Sequence, residues 1–320
     1  MSLLTDNLFE STLIKPVEEG ADTLYVVSGY ATGVMAMRHF DYLRAMKKKI
    51  KIRLIAGMYI QDGILNNNHI SFKDLHSDKY DVDFQCRYII SRPPVHSKVY
   101  AWFAGDKPMK GYVGSANYTQ NAFSSSMCEV LYETNPILCR RYYEGLIGNT
   151  ALCDAPNIEE LISVFEKRPV GLGEEQEADS EGKMKVEGLE RVTLTLLDAR
   201  TGDVPNRSGL NWGQRPGRDP AQAYLNIPAE IGRSGFFPDR YIGFTVITDD
   251  NKQLVCVRAQ DGGKGLHTTL NNSLMGEYFR NRLGLARDSF ISKNDLLRYG
   301  RTDVDFYKID EETYFLDFSV

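Results

Sequence analysis

The runs PVHSKVYAWF (residues 94–103) and GYVGSANY (residues 111–118) decide the fold of this chain. His96 and Lys98 are separated by one residue and open an alternating apolar stretch, which predicts a strand. Residues i and i+2 of a strand lie on one face, so we expect the imidazole and the ammonium side by side. The second run ends in a turn of small residues. This turn brings the Ser115 hydroxyl and the Asn117 carboxamide beside the first pair.

These four side chains together suit a phosphodiester substrate. An imidazole can attack phosphorus as a nucleophile. An ammonium and neutral donors can hold the phosphoryl oxygens while charge shifts in the transition state. This chemistry requires no metal ion and no other cofactor. The alternative is a structural histidine and an ordinary Gly-Ser-Ala-Asn turn, and the occurrence of both runs, each with a strand pattern, argues against it.

The two runs resemble the phospholipase D superfamily motif, His-x-Lys-x4-Asp-x6-Gly-Ser-x-x-Asn. Phe103 stands where that motif has an aspartate, and Asn117 follows Ser115 by two residues rather than three. The shorter form is similar to the nuclease branch, in which a glutamate downstream of the asparagine joins the site. The resemblance spans roughly residues 5–150. It implies a catalytic set of His96, Lys98, Ser115, Asn117 and Glu129.

Length and composition indicate a soluble protein of about two domains. The chain has 320 residues, of which 42% are hydrophobic and 25% are charged. No apolar run approaches the ~20 residues that span a bilayer, and the N-terminus lacks the features of a signal peptide. The five cysteines have no paired spacing, which is typical of reduced thiols. We therefore expect a cytoplasmic protein without a membrane partner.

The net charge of −5 is not spread evenly along the chain. Residues 1–168 hold 19 basic and 19 acidic residues, and residues 191–320 hold 17 of each. Residues 169–190 hold 2 basic and 7 acidic residues, which accounts for the whole excess of acid. This middle stretch also lacks hydrophobic periodicity, so it is predicted to be an acidic linker between two domains. A neutral domain can still bind DNA if its basic residues cluster on one face.

The hydrophobic pattern differs between the two predicted domains. Strands and helices alternate in the first, which indicates an α/β layered fold. Many short strands with turn signals in the second favour a β-barrel or sandwich. The first domain has predicted strands at 22–28, 50–56 and 84–90 and predicted helices at 33–48, from Ser71, at 137–148 and at 157–167. The second has predicted strands at 192–197, 241–247, 253–257 and 313–318 and a helix at 272–282.

Two polar stretches of the second domain, 206–218 and 258–272, are unusual for plain connectors. Arginine, asparagine and glutamine can read base edges with two hydrogen bonds. Lysine, hydroxyl groups and glycine amides suit phosphates. The alternative is two flexible polar loops. The composition predicts the following DNA-contacting residues: Arg207, Asn211, Trp212, Gln214, Arg215, Arg218, Gln260, Lys264, His267 and Asn271.

The segment LNWGQR at 210–215, followed by Asp219-Pro220 and by QAY at 222–224, carries a second resemblance. It is similar to the segment after the nuclease domain in the NgoFVII-type restriction endonuclease family. This resemblance covers nearly the whole chain. It implies an α/β phospholipase D-like layered domain followed by a mostly-β, B-three-like pseudobarrel that grips DNA with two arms.

The two resemblances together predict a type II-like restriction endonuclease of a restriction-modification system. It would hydrolyse DNA without a metal, through a phosphohistidine-type intermediate, at a sequence read by the C-terminal domain. The chain has one His-x-Lys motif where the superfamily usually needs two. We therefore expect a homodimer through the N-terminal domain, with the site shared across a two-fold axis. Double-stranded DNA and a cognate methyltransferase are the other expected partners.

Three alternatives remain open from the sequence. One is a phospholipid phosphodiesterase with the same chemistry, although no membrane-docking stretch is evident. Another is a DNA-binding module whose nuclease half is inactive. The third is a nuclease subunit that depends on a separate ATP-driven translocase, since this chain contains no Gly-x4-Gly-Lys-Ser/Thr motif of its own.

Overall fold

The computed structural model of the chain describes residues 2–77, 79–123, 128–165, 186, 188–250 and 252–320. The chain divides into two compact units, residues 1–169 and 170–320. The predicted acidic linker, 169–190, falls at this division and lies outside the described residues except for 186 and 188–190. Each unit has its own sheet and its own apolar core.

The first unit is built on an eight-stranded mixed sheet with the strand order β1-β8-β7-β6-β2-β3-β5-β9. Its central strands β2, β3 and β5 are parallel, and β6, β7 and β8 continue the sheet in antiparallel pairing. A short parallel pair, β4 and β10, lies apart from this sheet. The strands are β1 (Leu3–Leu4), β2 (Thr23–Ser28), β3 (Lys51–Ala56), β4 (Ile64–Leu65), β5 (Asp83–Ile89), β6 (Val99–Ala104), β7 (Lys107–Gly114), β8 (Leu131–Thr134), β9 (Thr150–Leu152) and β10 (Val164–Phe165).

Helices cover both faces of this sheet. Alternate residues of a strand point to opposite faces, and β5 follows this rule. Phe84 contacts Phe40 of α2 and Phe72 of α4, whereas Ile89 belongs to the apolar cluster around Tyr143 of α5. The helices are α1 (Lys15–Glu18), α2 (Gly33–Ala45), α3 (Tyr59–Asp62), α4 (Asn66–His76), α5 (Pro136–Leu146) and α6 (Ile158–Leu161), with a π-helical turn at Phe9–Ile14 and a 3-10 turn at Ile147–Asn149.

The second unit is a seven-stranded sheet that nearly closes into a barrel. Its strand order is β11-β16-β17-β13-β14-β15-β12, and the two end strands approach each other. All of its pairs are antiparallel except β13 with β17. Its elements are β11 (Arg191–Thr195), β12 (Leu225–Asn226), α7 (Ala229–Arg233), β13 (Gly243–Thr248), β14 (Gln253–Ala259), β15 (Gly265–Thr268), α8 (Ser273–Arg282), α9 (Lys293–Tyr299), β16 (Asp303–Lys308) and β17 (Thr313–Asp317), with 3-10 turns at Gly209–Gln214 and Asp261–Gly263.

The interior of the second unit is aromatic and contains a buried arginine. Phe236, Phe237, Phe244 and Tyr314 contact one another inside the barrel. Arg280 of α8 is fully buried and donates to backbone carbonyls of residues 210, 220, 221, 276 and 289. Three of these carbonyls, at 210, 220 and 221, belong to the connection between β11 and β12, so the guanidinium fixes that loop against the barrel.

These architectures confirm the predicted layered α/β fold followed by a mostly-β pseudobarrel. The predicted helix at 157–167 is wrong, because α6 ends at Leu161 and the chain then forms β10 beside β4. Helix α4 begins five residues before the predicted Ser71. The sequence pattern also missed β15, β16 and α9. Among the described residues, no helix combines the length and the apolar character that crossing a membrane requires.

Candidate functional site

A close approach of two backbone segments positions the first functional residue. Val95 donates its amide to the carbonyl of Gly57, 3.0 Å away, just past the end of β3. A Cβ on Gly57 would lie 1.9 Å from the Val95 carbonyl oxygen, so only glycine allows this approach. The contact places His96 at the carboxyl ends of β2 and β3, where open α/β sheets commonly bind ligands.

His96 and Lys98 lie just before β6, which begins at Val99. Strand alternation was predicted to place the two side chains on one face. That prediction is wrong, because neither residue lies in the strand. Their side chains meet nevertheless. The Lys98 ammonium lies 3.2 Å from Nδ1 and 3.1 Å from Nε2 of His96 and donates to the His96 carbonyl at 2.7 Å. The ammonium thus anchors both the ring and the backbone of His96.

The two residues differ in their exposure to solvent. His96 is exposed, whereas only 7% of Lys98 is accessible. Burial lowers the pKa of Lys98, and the Glu129 carboxylate acts in the opposite direction. The imidazole is therefore open to solvent, whereas the ammonium is held inside the protein.

Ser115 and Glu129 form a second pair at this site. The Ser115 hydroxyl donates to the Glu129 carboxylate, and its oxygen accepts the Val130 amide at 3.0 Å. Residues 124–127 lie outside the described part and β8 begins at Leu131, so Glu129 lies just before that strand. The hydrogen bond joins the carboxylate to the hydroxyl, and the charge of Glu129 favours the ammonium form of Lys98, which opposes the lowering of its pKa by burial.

The Asn117 carboxamide has a defined orientation. Its Oδ1 accepts the Tyr30 amide at 3.1 Å and lies 3.3 Å from the Ser28 hydroxyl oxygen. Ser28 in turn accepts the Tyr118 amide at 2.9 Å, which fixes the chain on the other side of Asn117. Because Oδ1 faces this backbone, the Nδ2 group points the other way. Asn117 therefore offers donors, not an acceptor, to a bound molecule.

His96 and Asn117 converge on Gly29, directly after β2. A Cβ on Gly29 would lie 3.0 Å from Cδ2 of His96 and 3.4 Å from Oδ1 of Asn117. The Tyr30 ring packs edge-on against His96, with 6.1 Å between ring centroids, and its hydroxyl donates to the Asp62 carboxylate. Sequence reasoning missed Gly29, Tyr30 and Asp62. Their position after a predicted parallel strand is the signal that could have found the first two.

The first unit therefore presents an exposed imidazole, a buried ammonium and oriented amide donors around one small space. Such a set can attack phosphorus and hold an anionic group during the attack. Within the described residues, no group of three or more His, Cys, Asp or Glu side chains is placed to hold a metal ion.

In the second unit, the first polar stretch folds around Trp212. The Arg218 guanidinium lies 4.1 Å from the centroid of the Trp212 ring, which is a cation–π distance. Tyr224 and His267 also contact this indole, with centroids 5.7 and 6.4 Å away. The structure thus brings Trp212, Arg218 and His267 together, although His267 comes from the second polar stretch.

Asn211 was predicted to contact DNA, and the structure contradicts this prediction. Its side chain is 0% exposed. Its Nδ2 donates to the carbonyls of Pro205 and Ile291, at 3.1 and 2.8 Å, and its Oδ1 accepts the Ile291 amide at 2.9 Å. A carboxamide bonded in this way inside the protein has no edge to offer a base, so Asn211 closes its loop instead.

Three other residues of the first stretch lie at its surface. Arg207 and Arg215 are exposed, and Arg215 Nε donates to the Arg207 carbonyl at 2.6 Å. Gln214 is half-buried, and its Nε2 donates to the carbonyls of Pro220 and Asp288, both at 3.2 Å. The two arginine side chains are therefore more accessible to solvent than Gln214, whose amide nitrogen already donates to two carbonyls of the protein.

The four predicted contacts of the second stretch have different surroundings. Lys264 is exposed, and His267 Nδ1 lies 3.0 Å from Oδ1 of Asn272. The Asn271 carboxamide accepts the Ser273 amide at the start of α8, which is a capping role. Gln260 lies against Gly265, where a Cβ would come within 2.7 Å of its Cδ.

Comparisons with known proteins match both units. A family model described as the NgoFVII restriction endonuclease N-terminal PLD domain matches residues 6–160. A second, described as the NgoFVII C-terminal B3-like DNA-binding domain, matches residues 184–310. No curated protein matches the chain.

Two solved structures are similar to parts of the chain. NucT from Helicobacter pylori is 19% identical, covers 47% of this chain and 97% of its own, and has a TM-score of 0.34. Polyphosphate kinase from Porphyromonas gingivalis is 13% identical, with 53% of this chain and 26% of that chain covered and a TM-score of 0.33.

Proposed function

This chain belongs to the NgoFVII restriction endonuclease family, and we propose that it cleaves DNA at a sequence read by its second unit. The observation that carries the proposal is the convergence of His96 and Asn117 on Gly29, with the Lys98 ammonium bonded to His96. One group is a nucleophile, and the other two are donors suited to phosphoryl oxygens. The family match supports DNA as the substrate.

The proposed reaction has two steps. An imidazole nitrogen of His96 forms a bond to phosphorus while the bond from phosphorus to the leaving oxygen breaks, which gives a phosphohistidine. Water then attacks the same phosphorus and the P–N bond breaks, which frees the histidine. Lys98 and the Nδ2 group of Asn117 hold the non-bridging oxygens in both steps. The donor set needs no metal ion for either displacement.

The protons in this scheme require a second acid–base group. The chain has one His-x-Lys motif, so His96 of a second copy is the proposed partner across a two-fold axis. It would protonate the leaving oxygen in the first step and accept the proton of water in the second. Ser115 would also contact the phosphate. Glu129, bonded to Ser115 and close to Lys98, would hold both groups in place.

Sequence reading is assigned to the second unit. Arg207, Arg215 and Arg218 are exposed on one polar loop, and arginine with two hydrogen bonds to guanine is the commonest specific base contact. The Arg218 guanidinium packs on the face of the Trp212 ring, which orients it. A host needs protection of its own sites from such an enzyme, so we expect a cognate methyltransferase. An ATP-driven translocase would be a further partner only if cleavage requires ATP.

The test is incubation of the purified full-length chain with genomic DNA in excess EDTA, followed by sequencing of the fragment ends. We expect cleavage at a constant offset from one short sequence, and no cleavage by His96→Ala. Because His96 belongs to the first unit and sequence reading is assigned to the second, the variant should bind the same site within a few-fold of wild type. Loss of all activity in EDTA, with restoration by Mg²⁺ in the absence of ATP, would refute the histidine mechanism.

A further inference from the structure

An arginine and a tyrosine stand exposed just before β13. Tyr241 is 58% accessible, and its φ of 64° lies in the left-handed region that residues other than glycine seldom adopt. The Arg240 guanidinium lies 5.0 Å from the centroid of the Tyr241 ring and donates to its hydroxyl at 2.9 Å. The pair is thus a cation displayed on an aromatic platform at the protein surface. The strand pattern from Tyr241 onward gave no sign of it.

The Arg240 stem lies on the glycine-rich turn after β14. A Cβ on Gly263 would come within 2.9 Å of Cγ and 3.3 Å of Cδ of Arg240, so glycine makes room for this stem. The next residue, Lys264, is exposed. The Arg240 stem thus lies on the residue that precedes the exposed Lys264, although the two cations come from separate segments.

The buried Arg258 holds these segments in register. Its guanidinium donates to the carbonyls of Gly263, Pro238 and Gly232, at 3.2, 3.2 and 2.9 Å. Its own carbonyl accepts the Tyr241 amide at 3.1 Å. One side chain therefore fixes the loop before Arg240, the turn before Lys264 and the end of α7. The backbone segments that carry Arg240 and Lys264 are therefore both held by hydrogen bonds to Arg258.

Sheet pairing also relates the Arg240 segment to the Trp212 loop, residues 206–218. Gly243 pairs with Val257 of β14, and Val257 pairs with His267 of β15, which contacts the Trp212 ring. Two strand spacings separate the ends of this row, or about 10 Å. The major groove is about 12 Å wide. This row joins the Trp212 ring to Gly243, three residues after Arg240, so with the Trp212 loop in the groove the Arg240 segment would lie toward the sugar–phosphate backbone at the groove edge.

We propose that Arg240 and Lys264 form a phosphate-binding element that positions the second unit on duplex DNA. The inference rests on the proposed function. It extends that function to Arg240, which lies outside the two predicted polar stretches, 206–218 and 258–272. An ammonium and a guanidinium both suit phosphate oxygens, and phosphates and sugars together take half to two-thirds of the hydrogen bonds that proteins make with DNA. Such contacts fix register and orientation and carry no sequence information.

The experiment measures duplex binding over a series of KCl concentrations. His96→Ala in the full-length chain serves as the uncleaving parent, and the probes are two 30-bp duplexes, one with the cleavage sequence and one without. Adding Arg240→Ala should weaken binding to both duplexes by the same factor. It should also reduce the slope of log K against log salt by about 0.9, the value for one phosphate contact. Adding Lys264→Ala as well should double this reduction, and Arg240→Lys should restore most of the slope.

Arg298→Ala is the matched control, because Arg298 is another exposed arginine of the same unit, on α9. The proposal is overturned if Arg240→Ala keeps the affinity and the slope of this control. A loss confined to the duplex with the cleavage sequence overturns it too, since it would indicate base reading. If the parent itself shows no preference between the duplexes, the failure is that of the proposed function and not of the phosphate element.

Discussion

At the scale of single residues, the burial of Lys98 behind an exposed imidazole has a measurable effect on the pH dependence of cleavage. Burial lowers the pKa of Lys98 below its ordinary 10.5. The ammonium that holds the phosphate is therefore lost at a lower pH than that of an exposed lysine. Single-turnover cleavage should decline on the alkaline side below pH 10.5. Glu129→Gln removes the charge that opposes this shift, so its alkaline limb should move to still lower pH.

Two variants of Lys98 control that experiment. Lys98→Met should reduce single-turnover cleavage by ~10²–10³-fold, the range for loss of one preorganised electrostatic donor. Cleavage by Lys98→Arg should lose the lysine contribution to the alkaline limb, because a guanidinium stays charged throughout this range, and any decline that remains reports the general acid. An unchanged limb in Lys98→Arg would mean that another group titrates.

His39 makes a separate prediction, for stability. It is fully buried between the Tyr118 hydroxyl and the Leu13 carbonyl, and burial lowers its pKa from 6.5 to about 4. As pH falls from 6.5 toward 4, the His39 imidazole becomes protonated in the unfolded chain but stays neutral in the folded chain. Stability is therefore present above pH 6.5 and is lost over this window, by up to about 3 kcal/mol.

Urea unfolding of wild type and His39→Asn between pH 7.5 and 4.5 tests this linkage. The variant should be less stable at pH 7.5, because it fills the site less well, but should lose less stability as the pH falls. His69, whose pKa burial also lowers, contributes equally to both proteins. Parallel curves for the two proteins would exclude His39 as the group responsible.

At the scale of elements, the end of β7 tolerates only glycine. A Cβ on Gly114 would lie 2.0 Å from the Val130 carbonyl oxygen. Gly114→Ala must therefore push the strand away from residue 130 and shift Ser115, with an expected loss of about 1–3 kcal/mol, the usual cost of overpacking. The cleavage rate of the folded variant should also fall, because Ser115 and Asn117 come directly after Gly114 and would be displaced with it.

Gly145→Ala is the matched substitution. Gly145 lies inside α5, and a Cβ there meets nothing within 4 Å. The change should stabilise the unit by ~0.5–1 kcal/mol, since alanine loses less backbone entropy in a helix. Thermal unfolding and cleavage of both variants distinguish the outcomes. A Gly114→Ala protein with wild-type stability and activity would show that the strand end is freer than the contact implies.

Element boundaries also show where sequence reasoning worked and where it stopped. Strand 23–28 was predictable from a nearly continuous apolar run, and strand 51–56 from the alternation of polar and apolar residues. The start of α4 was not, because Asn66-Asn67-Asn68 has low helix propensity. The Asn68 side chain instead bonds Gly33 and Ala31 on another segment, and such tertiary contacts override propensity.

The same limit applies to the candidate sites. His96, Lys98 and Asn117 were predictable because a short local motif carries them, whereas Tyr30 reaches His96 only through the antiparallel pairing of β2 with β6. Asn211 was misassigned because a loop has no periodicity to tell an inward side chain from an outward one. Burial of a loop residue depends on what the fold places behind it, and here that is Ile291.

At the scale of the whole molecule, each unit has its own sheet and core, so the two activities should separate. A piece from residue 190 to 320 should bind one short duplex sequence and cleave nothing. A piece from residue 1 to 167 should sediment as a dimer and cleave without sequence preference. Gel shifts at fixed salt and sedimentation velocity give both readings. Equal binding of all sequences by the first piece would move sequence reading out of the second unit.

The buried Arg280 has a consequence for the speed of recognition. Its bonds to the carbonyls of residues 210 and 220 hold the Trp212 loop before any DNA arrives. A loop that is already ordered contributes no slow folding step to association and loses little entropy on binding. We expect single-exponential association with similar rate constants for correct and incorrect duplexes. Discrimination would then lie in how long each complex survives, measured as the dissociation rate.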